Sequence, residues 1–121
     1  MKILIVDDNS SVRRMIGNIL AHMTKEIYEC SDGSEVEELY SRCNPDWVLM
    51  DIKMEKMNGI VATRKLIEKF PDAKVIMITN YPTEDLKEDA KKAGAIEFID
   101  KENLLSLDSI IKNFSARLKT N

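Results

Sequence analysis

Glycine is scarce in this chain, with four among 121 residues. Neither GxxxxGK(S/T) nor GxGxxG occurs, so the backbone cradles that grip nucleotide phosphates are missing and ATP is not an expected ligand. Cysteine is scarcer still. Cys30 and Cys43 make no CxxC pair, and nothing else supplies a tetrahedral set of soft ligands. Two free thiols in a reducing compartment are the expectation. The one histidine, His22, falls late in the first expected helix and reads as a surface or partly packed residue, not a phosphate donor. Basic excess is absent as well. The net charge is −3, and a nucleic-acid-binding surface normally declares itself as a basic patch. No apolar run approaches membrane-spanning length. The opening run to Val6 is too short for a signal peptide and ends at Asp7-Asp8. A cytoplasmic protein is expected, with no membrane or nucleic-acid partner. No repeat, low-complexity segment or linker interrupts the chain.

What is present suits one globular domain. The length is that of a single domain, able to bury roughly two-thirds of its unfolded surface, and 44% of the residues are hydrophobic. Short apolar runs alternate with helical periodicity. Ile3–Val6, Ile27–Cys30, Trp47–Asp51, Val75–Thr79 and Ala95–Ile99 read as strands. Between and after them come five amphipathic stripes. The first is Val12, Met15, Ile16, Ile19, Leu20 and Met23, capped by Asn9 or Ser10. The second is Val36, Leu39, Tyr40 and Cys43, after a turn at Ser31-Asp32-Gly33. The third is Ile60, Thr63, Leu66, Ile67 and Phe70, ended by Pro71. The fourth is a thin stripe of Leu86, Ala90 and Ala93, with acids in its first turn, lysines in its last and Gly94 behind. So sparse a stripe implies a helix held weakly and able to shift. The fifth carries Leu104, Leu107, Ile111, Phe114 and Leu118. Strand–helix alternation implies a parallel sheet covered on both faces. Right-handed crossovers bring all the strand carboxyl ends to one edge, which is where open α/β sheets bind ligands.

That edge is chemically loaded. The first strand ends in Asp7 and Asp8, the third in Asp51, the fourth in Thr79, and Lys101 lies two residues beyond Ile99. Three converging carboxylates repel, and one would hold a proton unless a cation sat among them. A hard divalent ion with oxygen ligands, Mg2+, answers this. Carboxylates, Mg2+, an ammonium and a hydroxyl around one aspartate suit phosphoryl transfer, which rests on positioning and charge neutralisation. Asp51 would be the nucleophile and the product an aspartyl phosphate.

These residues resemble, end to end over residues 1–121, the receiver domain of two-component response regulators. The pieces are Ile3-Leu4-Ile5-Val6-Asp7-Asp8; Asp51 with Met54 and Asn58-Gly59 behind it; Thr79 after Met77-Ile78; and Ala93-Gly94-Ala95 leading to Lys101. The resemblance implies a flavodoxin-like (βα)5 sandwich with strand order 2-1-3-4-5. It implies that Asp51 accepts phosphate from a sensor histidine kinase or a histidine phosphotransfer protein. Asp8, Asp51 and the Lys53 backbone carbonyl would ligate Mg2+, with Asp7 helping through water, and Lys101 would pair with the phosphoryl group. Thr79 and Phe98 would act as switch residues, reshaping the face of the fourth helix, fifth strand and fifth helix for a downstream partner. A homodimer is within the same expectation. Catalysis would be confined to the protein's own phosphotransfer and dephosphorylation.

Four departures from that family's pattern matter, and a fifth is slight. Glu102 replaces the usual proline after Lys101; a cis bond before a non-proline residue costs about 3 kcal/mol, so this loop is open to a different course. Glu55 replaces a common proline, which loosens the loop behind Asp51. Lys53 is a long cation expected to ion-pair with the acidic pocket when metal is absent, or to alter phosphate hydrolysis. Asn80 stands where small residues are favoured and would narrow access to Asp51. Phe98 replaces a frequent tyrosine and loses only a hydroxyl. Two other functions compete. A Mg2+-dependent phosphohydrolase with an aspartyl nucleophile wants a second acid two residues after the nucleophile, where this chain has Lys53, and a cap domain is absent. A receiver-like binding module that takes no phosphate sits poorly with the intact set Asp7, Asp8, Asp51, Thr79 and Lys101.

Overall fold

The computed structural model describes residues 1–119. Residues 120–121, the side chains of residues 117–119, and with them the expected Leu118 contact, lie outside the described residues. The elements run β1 (Lys2–Val6), α1 (Ser10–Leu20), β2 (Glu26–Cys30), α2 (Val36–Cys43), β3 (Trp47–Asp51), α3 (Gly59–Lys69), β4 (Val75–Thr79), α4 (Glu84–Ala93), β5 (Glu97–Asp100) and α5 (Leu107–Lys119). All the strand pairs are parallel, and the sheet order is β2-β1-β3-β4-β5. This is the expected flavodoxin-like arrangement.

Burial explains which segments became central strands. Every residue of β3 and β4 is buried, as continuous apolar runs require when helices cover both faces of a parallel sheet. One face packs Leu4, Val6, Val48, Met50, Val75 and Met77 against α2, α3 and α4. The other packs Ile3, Ile5, Leu49, Ile76 and Ile78 against Ile16 and Leu20 of α1 and Leu107 and Ile111 of α5. Trp47 anchors the second face, meeting Phe114 edge-on with ring centroids 5.2 Å apart. Helix ends follow side-chain chemistry. Asn9, Asn58 and Thr83 cap α1, α3 and α4 by accepting backbone N–H bonds, and Gly94 closes α4 with a left-handed φ of 108°.

Several boundaries differ from expectation. The fifth strand starts at Glu97, not Ala95, because the Ala95 amide still bonds to Ala90 and completes the α4 cap. It also runs one residue past Ile99 to Asp100, and β2 starts one residue early at Glu26. Met23 lies beyond the end of α1, yet packs on the core, while Met15 is 46% exposed and stands outside the buried stripe. Leu104 belongs to a 3-10 segment over Lys101–Ser106 that precedes α5, and another 3-10 turn over Gly33–Glu35 precedes α2. Among the described residues no peptide bond is cis, so the Lys101–Glu102 link takes the ordinary trans form. Helix α4 fully buries only Ala90 and Ala93, in keeping with its thin stripe.

Candidate functional site

Strand register assembles the site. Val6 pairs with Met50, so the residues that follow, Asp7 and Asp51, leave the sheet side by side. Asp51 pairs with Ile78, which sets Thr79 one step beyond on the adjoining strand. Thr79 in turn pairs with Asp100, and Lys101 follows directly. Parallel pairing thus turns four distant stretches of sequence into one cluster at the carboxyl edge.

The cluster is closely drawn. Carboxylate oxygens of Asp7, Asp8 and Asp51 all lie within 4.8 Å of one another. Asp7 and Asp51 are buried, and Asp8 is exposed at the mouth. The Lys101 ammonium sits between the two buried acids, 3.0 Å from Asp7 Oδ2 and 3.2 Å from Asp51 Oδ1. The other Asp7 oxygen accepts the Asn9 amide at 2.9 Å. Burial, and next the Asp7 charge, push the Asp51 carboxyl from 3.8 up to about 6 against the opposing pull of Lys101. Burial would lower the Lys101 ammonium, but its bond to Asp7 and the two carboxylate charges outweigh that and raise it. One ammonium therefore leaves carboxylate repulsion unrelieved, and an oxygen-lined pocket with surplus negative charge fits a hard divalent cation. Gly59 is required beside the acceptor: a Cβ there would stand 2.0 Å from the Asp51 carbonyl oxygen.

The remaining expected residues vary in their surroundings. Thr79 is 3% exposed, and its hydroxyl accepts the Tyr81 amide at 3.2 Å. Phe98 is half-buried on the α4 side of the sheet, packed on the same core cluster as Leu86 and Ala95. The expected ion pair of Lys53 with the acidic pocket is not formed. Lys101 holds that position, and the Lys53 ammonium lies 4.8 Å from the ring centre of Tyr81. Asn80 is exposed.

Two supporting residues escaped the sequence reading. Arg13 donates to the Asp7 carbonyl at 2.6 Å and to Glu29 at 2.9 Å, bracing the β1–α1 loop; in the Arg13-Arg14 pair of an amphipathic helix an arginine reads as solvated. Asp32 is buried and accepts the amides of Ser34 and Lys56, each at 2.9 Å. Only its turn propensity was visible in the sequence.

This arrangement has counterparts among known proteins. The response regulator receiver domain family matches residues 3–112. The chain is 37% identical over 115 residues to the transcriptional regulatory protein DegU of Brevibacillus brevis, covering 93% of this chain and 48% of that protein, so it spans about half the length of that relative. It is 39% identical over 102 residues to the chemotaxis protein CheY of Listeria monocytogenes, covering 84% of this chain and 86% of that one. Among solved structures, a chain of the CheX–CheY–BeF3–Mg2+ complex from Borrelia burgdorferi superposes with a TM-score of 0.82 at 30% identity, covering 94% of this chain and 89% of that chain. With a parallel sheet in the order 2-1-3-4-5, an acidic pocket at its carboxyl edge and a family match over nearly its whole length, the chain belongs to the response regulator receiver domain family.

Proposed function

We propose that residues 1–121 act as one receiver module that accepts a phosphoryl group on Asp51 and changes partner binding in response. The observation that carries this reading is the Lys101 ammonium, held at 3.0 and 3.2 Å between Asp7 and Asp51 with Asp8 alongside. In the transfer, an Asp51 carboxylate oxygen forms a bond to phosphorus as the phosphorus–nitrogen bond of a phosphohistidine breaks. The imidazole leaves with that electron pair and takes a proton from water. Asp8, Asp51 and the Lys53 carbonyl would hold Mg2+, with Asp7 reaching it through water. Bound there, the ion supplies charge neutralisation for the phosphoryl oxygens. Lys101 moves from its two carboxylates toward the phosphoryl group, and Thr79 exchanges the Tyr81 amide for a bond to it. The departure of Lys101 from Asp7 and the shift of Thr79 then bias α4 and Phe98, a local charge event acting on a weakly held element.

The donor is a sensor histidine kinase or a histidine phosphotransfer protein, and the readout face is α4, β5 and α5, through a downstream protein or a second copy of the chain. The protein acts in the cytoplasm, without direct contact to nucleic acid or membrane, and catalyses only its own phosphotransfer and dephosphorylation. Incubation with acetyl phosphate and Mg2+, followed by intact mass, tests the reading. One phosphoryl adduct, lost in Asp51→Asn, is the expected result. Turnover of phosphate monoesters would favour a phosphohydrolase instead, and no adduct under any condition would favour a plain binding module.

A further inference from the structure

The loop that follows the acceptor lacks the stiffening its position calls for. It leaves the sheet after Asp51 and re-enters regular structure at Gly59, and Glu55 stands where a proline would restrict it. Its base is closed by the Gly59 amide donating to the Ile52 carbonyl at 2.8 Å. The Asn58 side chain faces forward and caps α3 through the Val61 amide. Its tip is held from elsewhere. The buried Asp32 carboxylate on the β2–α2 turn receives the Lys56 amide on Oδ1 and the Ser34 amide on Oδ2, each at 2.9 Å. Gly33 lets that turn lie flat on the loop, since a Cβ there would stand 2.6 Å from the Met57 carbonyl oxygen. The carboxylate is kept ionised, because although burial opposes it, the amides of Ser34, Lys56 and Met57 hold its pKa below the usual value.

We infer that Asp32 is a positioning residue for the metal pocket: by gripping the Lys56 amide across the fold, it sets the loop whose Lys53 carbonyl would join Asp51 and Asp8 around the ion. The inference rests on the Mg2+ site of the proposed function. The physical logic is preorganisation. A loop already confined to one path loses less conformational freedom when its carbonyl is taken up as a ligand. Groups that orient ligands from outside the coordination sphere typically carry roughly ten- to a hundredfold in metal affinity.

The coupling is reciprocal, which gives a test in the unaltered protein. If the tether favours metal, metal must favour the tether by the same factor. Hydrogen exchange followed residue by residue should show the Lys56 amide protected in metal-free protein and more protected with Mg2+. Asp32→Ala should lose that protection and weaken Mg2+ binding, read by calorimetry, by roughly ten- to a hundredfold. Saturating Mg2+ should restore its phosphorylation by acetyl phosphate, which general damage to the fold would not allow. The Glu55 amide donates no hydrogen bond among the described residues, so Glu55→Pro in the Asp32→Ala background should stiffen the loop and recover part of the affinity. A Lys56 amide that exchanges freely in the unaltered protein, or is indifferent to Mg2+, overturns the inference whether or not the variant folds. Wild-type Mg2+ affinity in a folded Asp32→Ala protein overturns it alone. Absence of Mg2+ binding by the unaltered protein overturns it together with the proposed function.

Discussion

Replacing Asp51 with asparagine should make the metal-free protein more stable, by an amount that depends on pH. The Asp51 carboxyl titrates at about 6 rather than 3.8, because it is buried and faces Asp7. Its folded pKa is raised, so the ionised form strains the fold above pH 6. That strain eases as pH falls through about 6 and is gone below the unfolded value. A shift of about two units corresponds to about 3 kcal/mol. Asparagine has nearly the same shape and no charge, and Lys101 keeps its 3.0 Å partner Asp7. Asp51→Asn should therefore gain about 3 kcal/mol at pH 8, about half of that at pH 5, and almost nothing at pH 4. For a domain of this size the pH 8 gain corresponds to roughly 10 °C in Tm. Urea unfolding in the presence of a chelator, followed by circular dichroism across this range, measures it. Saturating Mg2+ should narrow the difference, because a ligand that binds only the folded wild type stabilises it. An equal gain at pH 5 and pH 8, or no gain at pH 8, would refute the account of charge repulsion in the pocket.

Four further substitutions probe separate parts of the site. Lys101→Ala should cost the metal-free protein about 3 kcal/mol at pH 8, since it strips the counter-ion from two buried carboxylates; Asp51→Asn should then stabilise the Lys101→Ala protein by more than it stabilises the wild type, and a double variant equal to the sum of the two single effects in denaturant titration would count against a shared ion pair. Asp8→Ala, at an exposed carboxylate, should leave stability within about 0.5 kcal/mol while lowering Mg2+ affinity at least about tenfold, and unchanged calorimetric affinity would remove Asp8 from the ligand set. Gly59→Ala should cost at least about 2 kcal/mol and slow phosphorylation, because its Cβ must displace the Asp51 carbonyl. Thr79→Ala should lose about 1 kcal/mol with the Tyr81 hydrogen bond and still take phosphate, but chemical-shift changes at Phe98 on adding beryllofluoride should shrink; a full response would remove Thr79 from the switch.

The parts of the fold legible in the sequence are those where one physical demand dominates. In β3 and β4 both faces are buried, so the apolar run and the strand coincide. At the sheet edges the demand weakens: β2 and β5 are partly exposed, and there the boundaries moved by one or two residues. Asp7, Asp8 and Asp51 are legible because each ends or closely follows a buried apolar run, and Lys101 because it stands just behind the fifth run. Their mutual distances follow from register, which no single stretch contains. The Arg13 and Asp32 braces were hidden for the same reason. Asp32 and Lys56 are 24 positions apart, and neither residue carries a local pattern that announces the other. Lys53 shows the limit from the opposite side, since proximity in sequence to Asp51 suggested an ion pair that a lysine 50 residues further on makes instead.

That outcome bears on how the pocket works. A site with two buried carboxylates and a third within 4.8 Å has a choice of counter-ions, and the fold supplies one that is covalently its own. Lys101 comes from an irregular 3-10 segment, not from a strand or a long helix, and such a segment re-forms at small cost when its terminal ammonium moves. The carboxylates come from strand ends in the middle of the sheet, which cannot move without breaking β1 and β3 from their neighbours. In the proposed function the anions therefore keep their places and Lys101 is the group that moves. A phosphoryl group arriving on Asp51 would add negative charge at the fixed side, and relief would come from motion of Lys101. The strand that Lys101 directly follows carries Phe98, which packs with α4, so in the proposed function the charge imbalance would be relieved toward the surface that is to change.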